Sequence, residues 1–271
     1  MKTLAKLIFV LTIALLMASS SVFAGELIIK GSTTVLPIAQ KAAEAYMAEN
    51  PGVKISLSGG GSGNGIKAII DGTADIGNAS RFIKQKEVSL AGTKDVYPVP
   101  FRIALDAIVP IVNGKNTVAG LTRGQLKDIY LGKIKDWKEV GGTPGKIVVV
   151  SRDSSSGTFG VWKELIMGKE RVIPSALTVP SNGGIVQAIT TTPGAIGYVG
   201  LGYLTGEIKA VKVDGIEGSE ENTLNGSFPI SRGLFMFTKG WPEGETMDFI
   251  SFILSRKGQD LVKEAGSIPL F

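Results

Sequence analysis

The densest chemistry in this chain lies in Ser151-Arg-Asp-Ser-Ser-Ser-Gly-Thr158. Arg152 carries a planar guanidinium whose paired N–H groups match two oxygens of an oxyanion. Ser156 and Thr158 add hydroxyl donors, and Gly157 lets the backbone come close to a ligand. A surface loop has no need of so many donors beside one Arg, so the segment points to anion binding. Three other segments make a related offer. Gly31-Ser-Thr-Thr34 sets hydroxyls at a helix start, where Ser and Thr also serve as ordinary N-caps. Gly59-Gly-Gly-Ser-Gly-Asn-Gly65 sets Ser62 and Asn64 at another helix start, where free N–H groups and the positive end of the dipole favour an anion. A flexible turn is the plainer reading of that run. Ser80-Arg81 ends a short strand, and Arg81 there is either a ligand or a surface side chain.

The glycine run fails the nucleotide tests. Gly60 and Gly65 have the spacing of a phosphate-binding P-loop, but Ile66 stands where that loop needs Lys. Gly61 and Gly63 begin a dinucleotide fingerprint, and Ile66 again occupies the position of its last Gly. The 271 residues include no Cys and no His. That excludes disulfides, thiol nucleophiles, imidazole acid–base chemistry and His- or Cys-ligated metals. Ser156 could serve as the nucleophile of a secreted phosphatase or hydrolase, yet no base stands at a recognisable spacing from it. The expectation is a binding protein with no cofactor and no metal, and not an enzyme. A formal charge of +5, with no basic run, gives no sign of a nucleic-acid partner.

The elements that must position these loops repeat one grammar. A strand at Leu27–Lys30 leads through Gly31–Thr34 to a helix over Ile38–Glu49, with Pro37 in its first turn. Val53, Ile55 and Leu57 alternate as a strand. A short helix from Ile66 to Ile70 follows, then a strand over Ala74–Gly77. Farther on, Lys146–Val150 is a β-branched strand before the Arg152 loop, with a helix over Phe159–Met167. Ser181-Asn-Gly-Gly184 opens another helix, and Thr122-x-x-Gln125 is a capping box. Strand–loop–helix order of this kind is that of α/β domains, whose ligands sit beyond the carboxyl ends of the strands. Two long apolar runs, 103–112 and 230–238, can cross from one domain to another. Asp106 interrupts the first and is either a site residue or the buried partner of an Arg. Trp137 and Trp162 read as core. The predicted architecture is two α/β lobes joined by two crossing segments with a ligand cleft between them. Residues 25–107 with 231–271 form the first lobe and 108–230 the second, and two C-terminal amphipathic helices complete the first.

The N-terminus reads as a secretory signal peptide over residues 1–24. Lys2 and Lys6 precede an apolar run from Leu7 to Met17, and Val22-Phe-Ala24 has the small residues of a cleavage site. The run is shorter than the roughly 20 residues needed to span a bilayer. Without Cys the processed chain has no cysteine-linked lipid anchor, so the expected product is soluble and periplasmic.

Gly31-Ser-Thr-Thr-Val-Leu-Pro37, Gly59 through Ile66, Asp75-Ile-Gly-Asn-Ala-Ser-Arg81 and Ser151 through Thr158 occur in this order. Ser181-Asn-Gly and Gly194-Ala-Ile-Gly-Tyr198 follow them. Together they resemble the periplasmic phosphate-binding proteins of high-affinity phosphate ABC transporters, across essentially the whole processed chain. The resemblance implies a type II periplasmic-binding fold that closes over inorganic phosphate and delivers it, as a monomer, to a membrane permease. It implies Thr33, Thr34, Ser62, Ser80, Arg81, Arg152, Ser156, Gly157 and Thr158 as ligands. The chain departs from the best-known branch, which ends its third strand in an Asp that accepts the proton of hydrogen phosphate. Here Arg81 stands near that place, and Ser154 replaces a second Asp two residues after the loop Arg. The sequence resembles a branch with Ser-Arg at this point. Asp106 is the candidate for the displaced acceptor, and sulfate, molybdate and arsenate are the alternative ligands.

Overall fold

The computed structural model describes residues 26–271, so the signal-peptide expectation lies outside the described residues. From Glu26 the chain builds β1 (Glu26–Gly31), α1 (Leu36–Glu49), β2 (Lys54–Ser58), α2 (Ser62–Ile70), β3 (Ile76–Ala79) and α3 (Gln85–Gly92). It continues through β4 (Val99–Asn113), β5 (Gly120–Leu121), α4 (Arg123–Tyr130), β6 (Val148–Arg152) and α5 (Gly157–Trp162). Then come β7 (Leu177–Val179), α6 (Asn182–Thr191), β8 (Ala195–Gly200), β9 (Ile208–Ala210) and β10 (Lys212–Val213). The last elements are α7 (Glu220–Leu224), β11 (Ser231–Thr238), α8 (Gly244–Leu254) and α9 (Arg256–Glu264).

One strand belongs to both lobes. β4 is a 15-residue strand whose first half pairs antiparallel with β11 and whose second half pairs antiparallel with β8 and β9. On one side the order runs β2-β1-β3-β11, with β2, β1 and β3 parallel. On the other, β8, β6 and β7 are parallel to one another. β11 also pairs antiparallel with β3, which ties the returning chain into the first lobe. The result is two α/β lobes joined through β4 and β11.

Each lobe has its own core. In the first, α1 presents Ile38, Ala39, Ala42 and Ala43 to Phe249, Ile250 and Ile253 of α8 and Val262 of α9. Burying each large aliphatic or aromatic side chain of this kind stabilises the lobe by about 1.5–3 kcal/mol. The two closing helices thus share one core with α1. In the second, Tyr130, Trp137, Trp162 and Tyr198 pack with Leu126, Ile129 and Val149. Both tryptophans are core, as their surroundings in the sequence suggest.

Some elements differ from expectation. The pattern predicts a helix from Ile66, but α2 opens four residues earlier at Ser62. Its glycines serve close approach. A Cβ at position 65 would lie 2.7 Å from the carbonyl oxygens of both Lys30 and Asn78, so only Gly lets α2 rest on β1 and β3. The predicted helix over 159–167 is an α-helical turn from Gly157 that widens into a π-helical turn over Lys163–Met167. Residues 208–213 hold two short strands with different partners, β4 for β9 and β5 for β10. α3 goes unpredicted because only Ala91 of its eight residues is buried, which leaves no apolar period to detect.

Candidate functional site

Four loop–helix junctions meet between the lobes. From the first lobe come Thr33 and Thr34 after β1, Ser62 at the start of α2, and Ser80 after β3. From the second come Arg152 at the end of β6, with Ser156, Gly157 and Thr158 opening α5. All of these residues are buried. The parallel strands explain the convergence, since each delivers its following loop to the same edge of the sheet.

The contacts cross between lobes. Thr34 Oγ1 lies 3.2 Å from Thr158 Oγ1. Arg152 Nη2 reaches Thr33 Oγ1 at 3.5 Å. Gly63 N–H donates to the Ser155 carbonyl at 2.8 Å, and Ser155 Oγ donates to the Gly60 carbonyl at 3.0 Å. Gly157 is wedged against the first lobe. A Cβ there would sit 2.6 Å from Ser80 Oγ and 3.0 Å from Ser62 Cβ, with Ser62 Oγ nearer still. On the first-lobe side, Ser80 N–H donates to Ser62 Oγ at 2.9 Å. Ser156 Oγ caps α5 by accepting from Phe159 N–H at 3.1 Å, which leaves the hydroxyl proton free to donate elsewhere. The N–H groups of Gly157 and Thr158 belong to the first turn, which has no intrahelical partner for them.

Arg152 is 3% exposed. Its Nε donates to the Val179 carbonyl at 3.2 Å and its Nη2 to the Pro180 carbonyl at 2.9 Å. No carboxylate is among its hydrogen-bond partners. Burial lowers its pKa, with Asp153 opposing that shift, but a guanidinium stays charged at any physiological pH. Its loop is braced from below. Tyr198 OH meets Ser151 Oγ at 3.0 Å and accepts from Arg152 N–H at 3.4 Å, and its ring stacks on Trp162 at 4.2 Å. Burial pushes the Tyr198 phenol up to about 12, so it stays a neutral hydrogen-bonding group.

Two expected ligands are engaged elsewhere. Arg81 forks onto Glu87, with Nη1–Oε2 at 2.8 Å and Nη2–Oε1 at 2.6 Å, and Nη1 also donates to the Phe82 carbonyl. It shares no hydrogen bond with the cluster. A groove of about 390 Å³ between the lobes runs past it, lined by Arg81, Lys84, Gly160, Glu164, Arg232 and Phe235 among others. Asp106 is fully buried and fully engaged. Its Oδ2 accepts from Arg232 Nε at 2.9 Å and Nη2 at 2.7 Å, and its Oδ1 accepts from Leu201 N–H at 2.9 Å. The alternative reading of Asp106 as the buried partner of an Arg describes this geometry.

Sequence reasoning missed Arg232 and Asn182. Arg232 Nη1 donates to Thr158 Oγ1 at 3.0 Å, and Nη2 to Thr34 Oγ1 at 3.3 Å, so one guanidinium holds a hydroxyl from each lobe. Its signal is the same as that of Asp106: a charge inside an apolar crossing strand. The register sets the two residues directly opposite each other. Asn182 is fully buried and its Nδ2 donates to Thr33 Oγ1 at 3.1 Å and Thr34 Oγ1 at 3.0 Å. It lies in the Ser181–Gly184 motif, where the helix-opening pattern hides a second role. In sum, the arrangement offers hydroxyl and amide donors and one buried cation without an acidic partner. Such a set suits a small, dehydrated anion.

Residues 18–257 match the model of the PBP superfamily domain. The phosphate-binding protein PstS of Bacillus subtilis (strain 168) is 34% identical over 249 residues, covering 91% of this chain and 81% of that protein. A solved structure from Clostridium perfringens, a candidate phosphate ABC transporter substrate-binding protein with bound phosphate, matches with a TM-score of 0.85 at 37% identity. That match covers 91% of this chain and 100% of the other. An ABC-type phosphate transport receptor from Vibrio cholerae matches with a TM-score of 0.72 at 32% identity, over 89% and 99% of the two chains.

Proposed function

This chain belongs to the PBP superfamily and, within it, to the PstS-type phosphate-binding proteins, and from that premise we propose that it captures inorganic phosphate between its two lobes and delivers it to the membrane permease of an ABC importer. The observation that carries this reading is Arg152. It is a buried cation surrounded by hydroxyl and carbonyl groups from both lobes, with no carboxylate bonded to it. A charge held in this way is costly unless an anion arrives to pair with it. The chain acts as a soluble periplasmic monomer. Its lobe boundaries fall at 107/108 and 230/231, and residues 1–24 are removed on export.

In this reading Arg152 supplies the charged fork, and Thr33, Thr34, Ser62, Ser80, Ser156 and Thr158 supply hydroxyl donors. The first-turn N–H groups of Gly157 and Thr158 point a dipole end at the ligand. Arg81 acts at one remove, fixing the segment after Ser80 through Glu87. Asp106 neutralises Arg232, and Arg232 in turn orients Thr34 and Thr158. Because donors come from both lobes, phosphate binds the closed state better than the open one and shifts the population toward it. In this reading the Ser156 hydroxyl caps α5 and donates to the ligand, and it is not a nucleophile. Titration calorimetry should show one tight phosphate site per chain, and millimolar or absent binding would overturn the reading.

A further inference from the structure

Two side chains that bond to the cluster hydroxyls each carry a buried atom without a hydrogen-bond partner: Nη1 of Arg152, a donor, and Oδ1 of Asn182, an acceptor. Both side chains already touch one hydroxyl. Arg152 Nη2 reaches Thr33 Oγ1 at 3.5 Å, and Asn182 Nδ2 reaches it at 3.1 Å. A donor and an acceptor left open at this depth are both costly, and together they specify a ligand that accepts and also donates. Sulfate at neutral pH only accepts. Hydrogen phosphate carries P–O⁻ and P–OH on one centre.

Resting on the phosphate reading above, we infer that Asn182 is the specificity-determining residue of this site, accepting the ligand's P–OH proton at its amide oxygen. The nearby carboxylates each have partners of their own. Asp106 takes Arg232 and the Leu201 N–H, Glu87 takes Arg81, and Asp153 Oδ1 takes the N–H of Ser155. Asn78 Oδ1 is also buried and unpaired, but the Asn78 side chain bonds to none of the cluster hydroxyls. The Asn182 amide, by contrast, is bonded to Thr33 and Thr34 on its nitrogen edge, which holds the oxygen edge in the same cluster. A neutral acceptor has no proton of its own to lose, so the preference for a protonated oxyanion persists wherever the ligand keeps its P–OH. The site thus replaces a carboxylate's rejection of unprotonated anions with the cost of leaving an amide oxygen unpaired.

Monofluorophosphate tests this directly. It has the size and double charge of hydrogen phosphate, with P–F in place of P–OH, and so nothing to donate. Calorimetry on the parent should give fluorophosphate binding at least about tenfold weaker than phosphate. Asn182→Ala should bring the two ligands to within about threefold of each other, because the acceptor is gone. Asn182→Asp, which keeps an oxygen in that position, should retain or widen the parent ratio. A parent that binds phosphate but does not discriminate overturns the inference and leaves the phosphate reading standing. Asn182→Ala retaining the parent ratio also overturns it, since a residue that only fastens the lobes would weaken both ligands alike. If Asn182→Ala fails to fold, a ratio in Asn182→Asp below that of the parent overturns the assignment. A parent that binds no phosphate overturns the phosphate reading itself.

Discussion

Gly157→Ala separates closure from ligand contact. The added methyl would lie 2.6 Å from Ser80 Oγ and 3.0 Å from Ser62 Cβ, and nearer still to Ser62 Oγ. Ser62 cannot turn away without giving up the 2.9 Å bond from Ser80 N–H. The nearer Ser62 Oγ sets the displacement, so the lobes must stand off by roughly 1.2 Å to restore an ordinary van der Waals distance. Bonds of 3.0–3.2 Å across the cleft, from Arg232 and Thr34 to Thr158, then stretch past hydrogen-bonding range. Each is worth about 0.5–1.5 kcal/mol net, and the contacts of a bound anion stretch with them. The summed loss is about 2–4 kcal/mol, or roughly 30- to 1,000-fold in phosphate affinity. Folding should be spared, because Ala at a helix start costs nothing relative to Gly. Titration calorimetry reads the affinity, small-angle scattering with phosphate reads the closure, and calorimetric melting without phosphate should match the parent. A variant that binds phosphate within about threefold of the parent would refute the wedge argument.

Arg152→Ala removes the charged fork from a buried site and should weaken phosphate binding at least about 100-fold by calorimetry, at 1.5–3 kcal/mol for each charged hydrogen bond lost. Asp106→Asn strands the Arg232 charge, whose pKa burial already lowers against the pull of Asp106. It should cost about 3–5 kcal/mol of stability, seen as a melting temperature lower by about 6–20 °C. Sulfate should compete with phosphate no better in that variant than in the parent. For Glu87, burial opposes ionisation most strongly. The Arg81 fork and the Lys84 N–H together outweigh it and hold the carboxyl below its ordinary 4.5. That contribution to stability is complete above pH 4.5 and is lost as pH falls through the lower folded value. Glu87→Gln should therefore be less stable at neutral pH and show a flatter acid limb in denaturant titrations.

Local rules settled much of this protein before any packing was known. The Thr122–Gln125 capping box forms as written, with Gln125 N–H donating to Thr122 Oγ1 at 3.1 Å. Pro37 falls in the first turn of α1, and Ser156 caps α5. The crossing strand is legible as an apolar run because both of its faces are covered, and the part that goes unread at its start, Val99–Arg102, alternates between half-buried and exposed residues. Where the local signal is thin the reading fails: β7 is three residues on a sheet edge, and α3 has a single buried side chain.

The sequence by itself determined the composition of the site. A donor-rich loop around Arg152, further loops rich in Ser, Thr and Gly, and the absence of imidazole and thiol are properties of residue types at short spacing. Tertiary structure decided which of those groups share the site. Arg81 and Arg152 look alike in sequence, each following a Ser at a strand end, yet Glu87 takes one fork and leaves the other without an acid. Asp106 and Arg232 are 126 residues apart and meet only because β4 and β11 pair in one particular register. Asn182 reaches Thr33 across 149 residues and the interlobe cleft. A cap or an apolar period depends on neighbours within a few positions, whereas the pairing of a buried charge depends on which strand lies opposite. That information is spread across the whole chain and becomes readable only once the two lobes have folded against each other.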